Sequence, residues 1–274
     1  MNKELGDAET WTLDDIPLDR VDVLRIRPNE ELFLLLAGAS FVETGSDLYT
    51  SNLVEHFRDD AEVSAWLSDQ WEPEELRHGR ALRAYVNHVW PEFDWDAAFA
   101  EFIAEYSLTC TTDDLEPSRC LEMAARCVVE MGTATYYRTI RSVAGEPVLE
   151  RLTGLIQRDE VRHYKHFYRY FKKYNRIESR SRARVAGALV RRLREIAGSD
   201  VDCGLWHPFH ARNAHLMRDG REFRDAVSAA ADLLRRHYPT EMAVKMFLKP
   251  LALPVAVNRW TTPPVRFAQR FLWH

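Results

Sequence analysis

Apolar residues recur at the helical period along most of this chain, and few stretches alternate with the period of two that marks a strand. The pattern predicts a first long helix over about Asn29 to Phe57, with Asn29 as its cap ahead of Glu30 and Glu31. A second runs over about Glu72 to Val89, carries Pro73 in its first turn and stops before Pro91. A short helix follows over Trp95 to Tyr106. A third long helix covers Ser118 to Val143; Gly145 closes it, and Pro147 opens a fourth that reaches about Tyr174. Beyond Ile177 the chain turns basic, with Arg176, Arg180, Arg182, Arg184, Arg191, Arg192 and Arg194 in one helical stretch. Another amphipathic helix is predicted over Glu222 to His237. The tail, Pro250 to His274, is rich in Pro and aromatics and reads as an extended segment wrapped over the bundle. Residues 1–28 read as irregular. No linker divides the chain, so it reads as a single all-α domain: an irregular segment 1–28, a helical core 29–175, and additional helices with a tail over 176–274.

Composition narrows the class without naming it. The chain has 274 residues, is 46% hydrophobic and 29% charged, and so has ample material for a core. Its net charge of -5 argues against a nucleic-acid partner. Four cysteines, Cys110, Cys120, Cys127 and Cys203, lack any CxxC pairing and read as thiols in a reducing compartment. The longest apolar run, Leu32 to Val42, falls short of the roughly 20 residues needed to span a bilayer. The opening MNKELGDAET is acidic and lacks the apolar stretch of a signal peptide. These features predict a cytoplasmic protein without a membrane span.

The chemistry lies in a repeated motif. Residues 74–78 read EELRH and residues 159–163 read DEVRH. A lone Glu-x-x-His is common on solvated helices; two copies with the same local grammar are not. Each copy also has an upstream acid on the preceding long helix: Glu43 lies 32 residues before Glu75, and Glu130 lies 30 before Glu160. Residues i and i+3 share a helix face, so Glu75 with His78 and Glu160 with His163 each point to one place. Four helices then present four carboxylates and two imidazoles to one bundle core, the ligand set of di-iron and di-manganese carboxylate sites. Glu43 and Glu130 both follow apolar runs, and burying unpaired carboxylates costs several kcal/mol each. Two divalent irons would neutralise four of them; manganese is the alternative metal. A ligating His usually donates its other N–H to a carboxylate. Glu74 and Asp159 are placed to accept from the His of the opposite motif, with Arg77 and Arg162 three residues beyond to pair with them.

With these residues in view, the chain resembles the ferritin-like di-iron carboxylate superfamily. More narrowly, Trp71-x-x-Glu74-Glu75-x-Arg77-His78-Gly79 and Asp159-Glu160-x-Arg162-His163 resemble the signatures of soluble acyl-[acyl-carrier-protein] desaturases. Thr133, three residues after Glu130, matches the Glu-x-x-Thr that this family carries beside its oxygen site. The resemblance covers roughly residues 30–175. It implies a ferritin-like four-helix bundle, with Glu43 and His78 on one iron, Glu130 and His163 on the other, and Glu75 and Glu160 bridging. It implies O2 as co-substrate, an external electron donor such as a ferredoxin, an acyl carrier protein as partner, and a homodimer. The C-terminal third aligns with no motif of that family.

Among ferritin-like chemistries, storage proteins are shorter, and arylamine N-oxygenases carry a further His where this chain has Ile156 and Gln157. Radical-generating reductase subunits usually begin their ligand set with Asp rather than a residue like Glu43. The expectation is an oxygen-dependent oxidase, foremost a fatty-acyl desaturase. A hydroxylase or N-oxygenase of a metabolite, and a non-catalytic metal-binding protein, are the alternatives. Phe33, Phe41, Met123, Met131 and Tyr137 are candidates for an acyl channel, with ordinary core packing as the competing reading of each. Arg180, Arg182 and Arg184 offer a docking face for an acidic carrier, against a plain solvated face. Trp71 is a candidate electron relay, against packing. His207 and His210 form a cluster with no acid spaced to join it. His166, one turn past His163, reads as a neighbour of the site or a surface residue.

Overall fold

The computed structural model describes residues 10–112, 115–196 and 201–253. Two 3-10 turns and a four-residue helix, α1 (Val23–Ile26), precede the first long element. The Asn29 side chain accepts from Leu32 N at 2.8 Å and opens α2 (Glu30–Thr44). The single helix expected over Asn29 to Phe57 is in fact two. It breaks at Gly45 (φ −85°, ψ 12°), two residues after Glu43, and resumes as α3 (Ser46–His56). Glycine is the weakest helix former after proline, which makes this the point where the rod yields.

Asp60 caps α4 (Ala61–Trp66), which the sequence pattern did not predict. A π turn over Leu67–Trp71 joins it to α5 (Glu72–Val89), with Glu72 N–H donating to Leu67 O, five residues back. The α5 bounds match the predicted helix, as do those of α6 (Trp95–Tyr106). Ser118 caps α7 (Arg119–Ala144). Gly145 takes a left-handed conformation (φ 58°), and Glu146 caps α8 (Pro147–Glu178), its carboxylate accepting from Val148 N and Leu149 N. That tight turn makes α7 and α8 an antiparallel hairpin. Trp90 Nε1 at the end of α5 donates to Arg27 O, just before α2, so α2 and α5 are antiparallel as well.

These two pairs pack together through α5 and α8, giving the ferritin-like four-helix core. The remaining helices, α9 (Arg182–Glu195), α10 (Val201–Arg212), α11 (Arg221–His237) and α12 (Thr240–Leu248), cover its sides, with α10 and α11 on α2, and α9 and α12 on α7. No helix was predicted where α10 lies; Pro208 sits inside it. No strand occurs among the described residues, and none of their helices is long and apolar enough to cross a membrane. The expected wrapping of the tail falls mainly on residues 254–274, which lie outside the described residues.

The apolar interior forms two clusters. One holds Phe33, Phe41, Leu82, Tyr85, Trp90, Phe102, Tyr137 and Ile156; the other holds Trp66, Trp71, Val128, Met131, Phe167 and Tyr170. Burying each such side chain stabilises the fold by about 1.5–3 kcal/mol. On α5, α7 and α8 the passage from one cluster to the other falls at Glu75–His78, Glu130 and Glu160–His163. A charged layer is therefore held between two apolar blocks.

Candidate metal centre

Helix phase brings the six side chains into that layer. Glu75 and His78 on α5, and Glu160 and His163 on α8, each face inward one turn apart. Glu130 enters from α7 and Glu43 from the last turn of α2. Gly79 permits the closest of these approaches. A Cβ there would lie 2.5 Å from Thr44 Oγ1 and 2.8 Å from Thr44 Cα, so only glycine lets α5 touch α2 beside Glu43.

Two overlapping groups result. Glu43, Glu75, His78 and Glu160 each place one ligand-type atom within 4.8 Å of the others, and so do Glu75, Glu130, Glu160 and His163. Glu75 and Glu160 belong to both groups. His78 Nδ1 is 3.1 Å from Glu160 Oε1 and 3.7 Å from Glu43 Oε2. His163 Nδ1 is 2.9 Å from Glu75 Oε1 and 3.5 Å from Glu130 Oε2. All six residues are buried, and every one leaves a buried atom without a hydrogen-bond partner: Glu43 Oε2, Glu75 Oε1, His78 Nδ1, Glu130 Oε2, Glu160 Oε1 and His163 Nδ1. Orphaned polar atoms are rare in folded interiors, and here they converge. Four carboxylates and two imidazoles, with lone pairs turned inward, fit two divalent cations.

The outward atoms are satisfied, and in a crossed manner. His78 Nε2 lies 3.2 Å from Asp159 Oδ2 on the opposite helix, and His163 Nε2 lies 2.7 Å from Glu74 Oε2. An N–H at Nε2 leaves the Nδ1 lone pair facing the centre. Arg162 donates to Asp159 Oδ1 (2.8 Å) and Glu74 Oε2 (2.5 Å), and Arg77 donates to Asp159 Oδ2 (3.0 Å). Thr133 Oγ1 donates to Glu160 Oε2 at 2.7 Å.

Two contributors were not assigned these places in the sequence. Trp11, in the irregular segment, donates from Nε1 to Asp159 Oδ2 at 2.7 Å and lies parallel to His78, centroids 6.0 Å apart. No periodicity marks it. Tyr137, read as a channel candidate, instead donates its hydroxyl to Glu43 Oε1. Its spacing of seven from Glu130, one face of α7, was the available signal. Trp71 sits edge-on to His163 at 6.5 Å, among Trp66 and Phe167. Phe33 and Phe41 are fully buried among Trp90, Phe93, Trp95 and Phe102. Met123 is fully buried and Met131 nearly so. His166 stacks on Trp66. Of the arginines, Arg180 is tied to Glu178 and Ser118, Arg182 donates to Ala252 O, and Arg184 lines an open groove with Leu121 and Gly187. The expectation that no acid joins His207 is overturned: Glu105 on α6 reaches its Nε2 at 3.0 Å, a tertiary contact that sequence spacing does not show.

Crowding sets the protonation. Burial, then the neighbouring Glu160 and Glu43, pushes Glu75 well up, and burial pushes Glu130 up to about 8. Burial opposes charge on His78 and His163 too, but the carboxylates around them outweigh it and raise both. Asp159 goes the other way: despite burial, His78, Arg162 and Trp11 hold its carboxyl well below the usual range. Without metal the centre therefore retains protons, and a bound cation would displace them.

No family model matches the chain. It is 28% identical over 217 residues to stearoyl-[acyl-carrier-protein] 9-desaturase 6, chloroplastic, of Arabidopsis thaliana; the match covers 74% of this chain and 51% of that protein. The chain thus spans about half the length of the curated relative it matches, and the relationship is one of weak homology to a ferritin-like enzyme.

Proposed function

We propose that this protein is a di-iron, oxygen-dependent oxidoreductase that acts on an unactivated C–H bond, most directly as a desaturase of carrier-linked acyl chains. Glu43 and His78 would hold one iron, Glu130 and His163 the other, with Glu75 and Glu160 shared. The observation that carries this reading is the convergence of six orphaned buried atoms in two groups that share those two carboxylates. The weak homology to a desaturase supports the reaction class.

Two bound irons supply the chemistry, reductive activation of O2 for hydrogen removal. The chain supplies the rest. Asp159 and Glu74 hold the His78 and His163 rings with Nδ1 inward. Arg77 and Arg162 offset the outward carboxylates and keep them ionised. Thr133, donating to Glu160 from α7, holds a movable proton at its Oγ1 beside the shared carboxylate. The apolar blocks on either side exclude water from the charged layer. Trp11, bonded to Asp159 and parallel to His78, is better connected to the centre than Trp71 for receiving electrons from a ferredoxin-like donor. Arg180, Arg182 and Arg184 form the face offered to an acidic carrier protein. We place the enzyme in the cytoplasm, as a single domain and a homodimer.

The test is iron loading followed by turnover. Two ferrous ions per chain are expected in the wild type, and none in the Glu75→Ala, Glu160→Ala double variant. Retention of two irons by the double variant would refute the site. Incubation with acyl-carrier substrate, reduced ferredoxin and O2 should then yield an unsaturated acyl chain by mass spectrometry. Loaded, oxygen-consuming protein that leaves acyl chains untouched would refute the substrate class alone. Reversal of Arg180, Arg182 and Arg184 to Glu should weaken carrier binding and flatten its salt dependence; unchanged binding removes the docking face.

A further inference from the structure

Away from the bundle centre, α6 and α10 face each other, and each presents a pair of metal-type ligands one turn apart. On α10 the pair is Cys203 and His207; on α6 it is Glu101 and Glu105. Residues at i and i+4 share a helix face, so Cys203 and His207 meet Glu105 in the seam, with Glu101 at its exposed rim. One ligand-type atom each from Glu105, Cys203 and His207 lies within 4.8 Å of the other two. His207 Nε2 is 3.0 Å from Glu105 Oε2, and its Nδ1 is 4.0 Å from Glu101 Oε2. His207 is only 6% exposed, yet that Nδ1 has no hydrogen-bond partner. Cys203 is 5% exposed.

We propose that Cys203, His207 and Glu105 form a second metal site, for a thiophilic divalent cation of the zinc class, with Glu101 available as the fourth ligand. One sulfur, one imidazole nitrogen and carboxylate oxygens are the donor types that zinc takes in a tetrahedral arrangement. Hard cations such as magnesium and calcium avoid thiolate. The Glu105 carboxylate is already oriented. Arg218 donates to its Oε1 at 2.7 Å and its Oε2 at 2.9 Å, and Asp202 in turn holds Arg218. Outer partners of this kind fix the direction of a ligating carboxylate. Asp202, 2.6 Å from Arg218 Nη2, also offsets the guanidinium charge near the cation. Since α10 packs on both α6 and α2, a cation here fastens the added helices to the helix that carries Glu43.

Co2+ is the probe, because thiolate-to-cobalt charge transfer absorbs in the near ultraviolet and neither ligand group at the bundle centre includes a cysteine. The chelator-stripped full chain should develop that band with Co2+ and lose it to one equivalent of Zn2+. Cys203→Ser should abolish the band. Glu105→Gln should weaken Co2+ binding at least tenfold, in a chain whose circular dichroism is unchanged. Absence of the band in folded wild-type protein overturns the site, as does a band that survives Cys203→Ser. Should Cys203→Ser fail to fold, Glu105→Gln decides alone, and unchanged Co2+ affinity in it overturns the site. None of these outcomes depends on iron at the bundle centre.

Discussion

Replacing Glu130 with Gln separates what the buried carboxylates do for a metal from what they cost the fold. Burial pushes the Glu130 carboxyl up to about 8, from an ordinary value of 4.5. The folded value lies above the unfolded one, so the stability associated with this group is fully present below about 4.5 and is lost as pH rises toward 8. A proton held only by the folded chain costs about 1.4 kcal/mol of stability per pH unit. Between 4.5 and 7 that sums to at most about 3.5 kcal/mol, and because neighbouring groups of the centre titrate together with Glu130 its own part is about 1–2 kcal/mol. Gln is neutral in both states and loses nothing. Metal-free Glu130→Gln should therefore be more stable than metal-free wild type at pH 7, by roughly 2–8 °C in Tm. The difference should be small at pH 5 and largest near pH 8. Denaturation of chelator-treated protein at pH 5, 7 and 8 measures it. With iron present the order should reverse, because a charged ligand has been removed. A variant less stable than wild type at pH 7 without metal, or a difference that does not grow with pH, refutes the reasoning.

Other outcomes follow from the same geometry. Asp159→Asn should weaken divalent metal binding by about 10–100-fold in calorimetric titration. Glu74→Gln should cost less, because its side chain is 21% exposed against 2% for Asp159; equal losses would contradict the burial argument. Gly79→Ala should destabilise the fold by about 1–3 kcal/mol in urea, since the new methyl meets the Thr44 backbone N and Cα as well as its hydroxyl; a neutral result would show that α2 and α5 part without cost. Thr133→Val should keep two irons per chain while lowering product formed per O2 consumed; an unchanged ratio would remove Thr133 from proton handling.

Much of this was legible in the chain because helix periodicity and the i, i+3 rule act locally. The α5 to α8 spans, and the convergence of Glu75, His78, Glu160 and His163, depend on little else. Glu43 and Glu130 were readable because a carboxylate in an apolar helix stands out. The misses are tertiary. The break at Gly45 is set by one weak helix former inside an otherwise continuous apolar pattern. Trp11 reaches Asp159 from a segment without period, so only its position in space reveals it. Glu105 meets His207 across 102 residues, from α6 to a helix that was not predicted.

The π turn at Leu67–Trp71 has a further consequence, one of helical phase. The inward residues Val63, Leu67, Trp71 and Glu75 follow one another in steps of four, and all are buried. An α-helix turns about 100° per residue, so three such steps overshoot a straight stripe by about 120°. One wide turn absorbs about 100° of that excess. Trp71 can therefore pack in the core and Glu75 and His78 can still face the carboxylates of α7 and α8. A chain with one residue deleted between 67 and 71 would keep a continuous helix, yet it would swing either α4 or the EELRH motif a quarter-turn or more out of line. The wide turn thus serves as the phase adjustment between a hydrophobic anchor and a polar site on one rod.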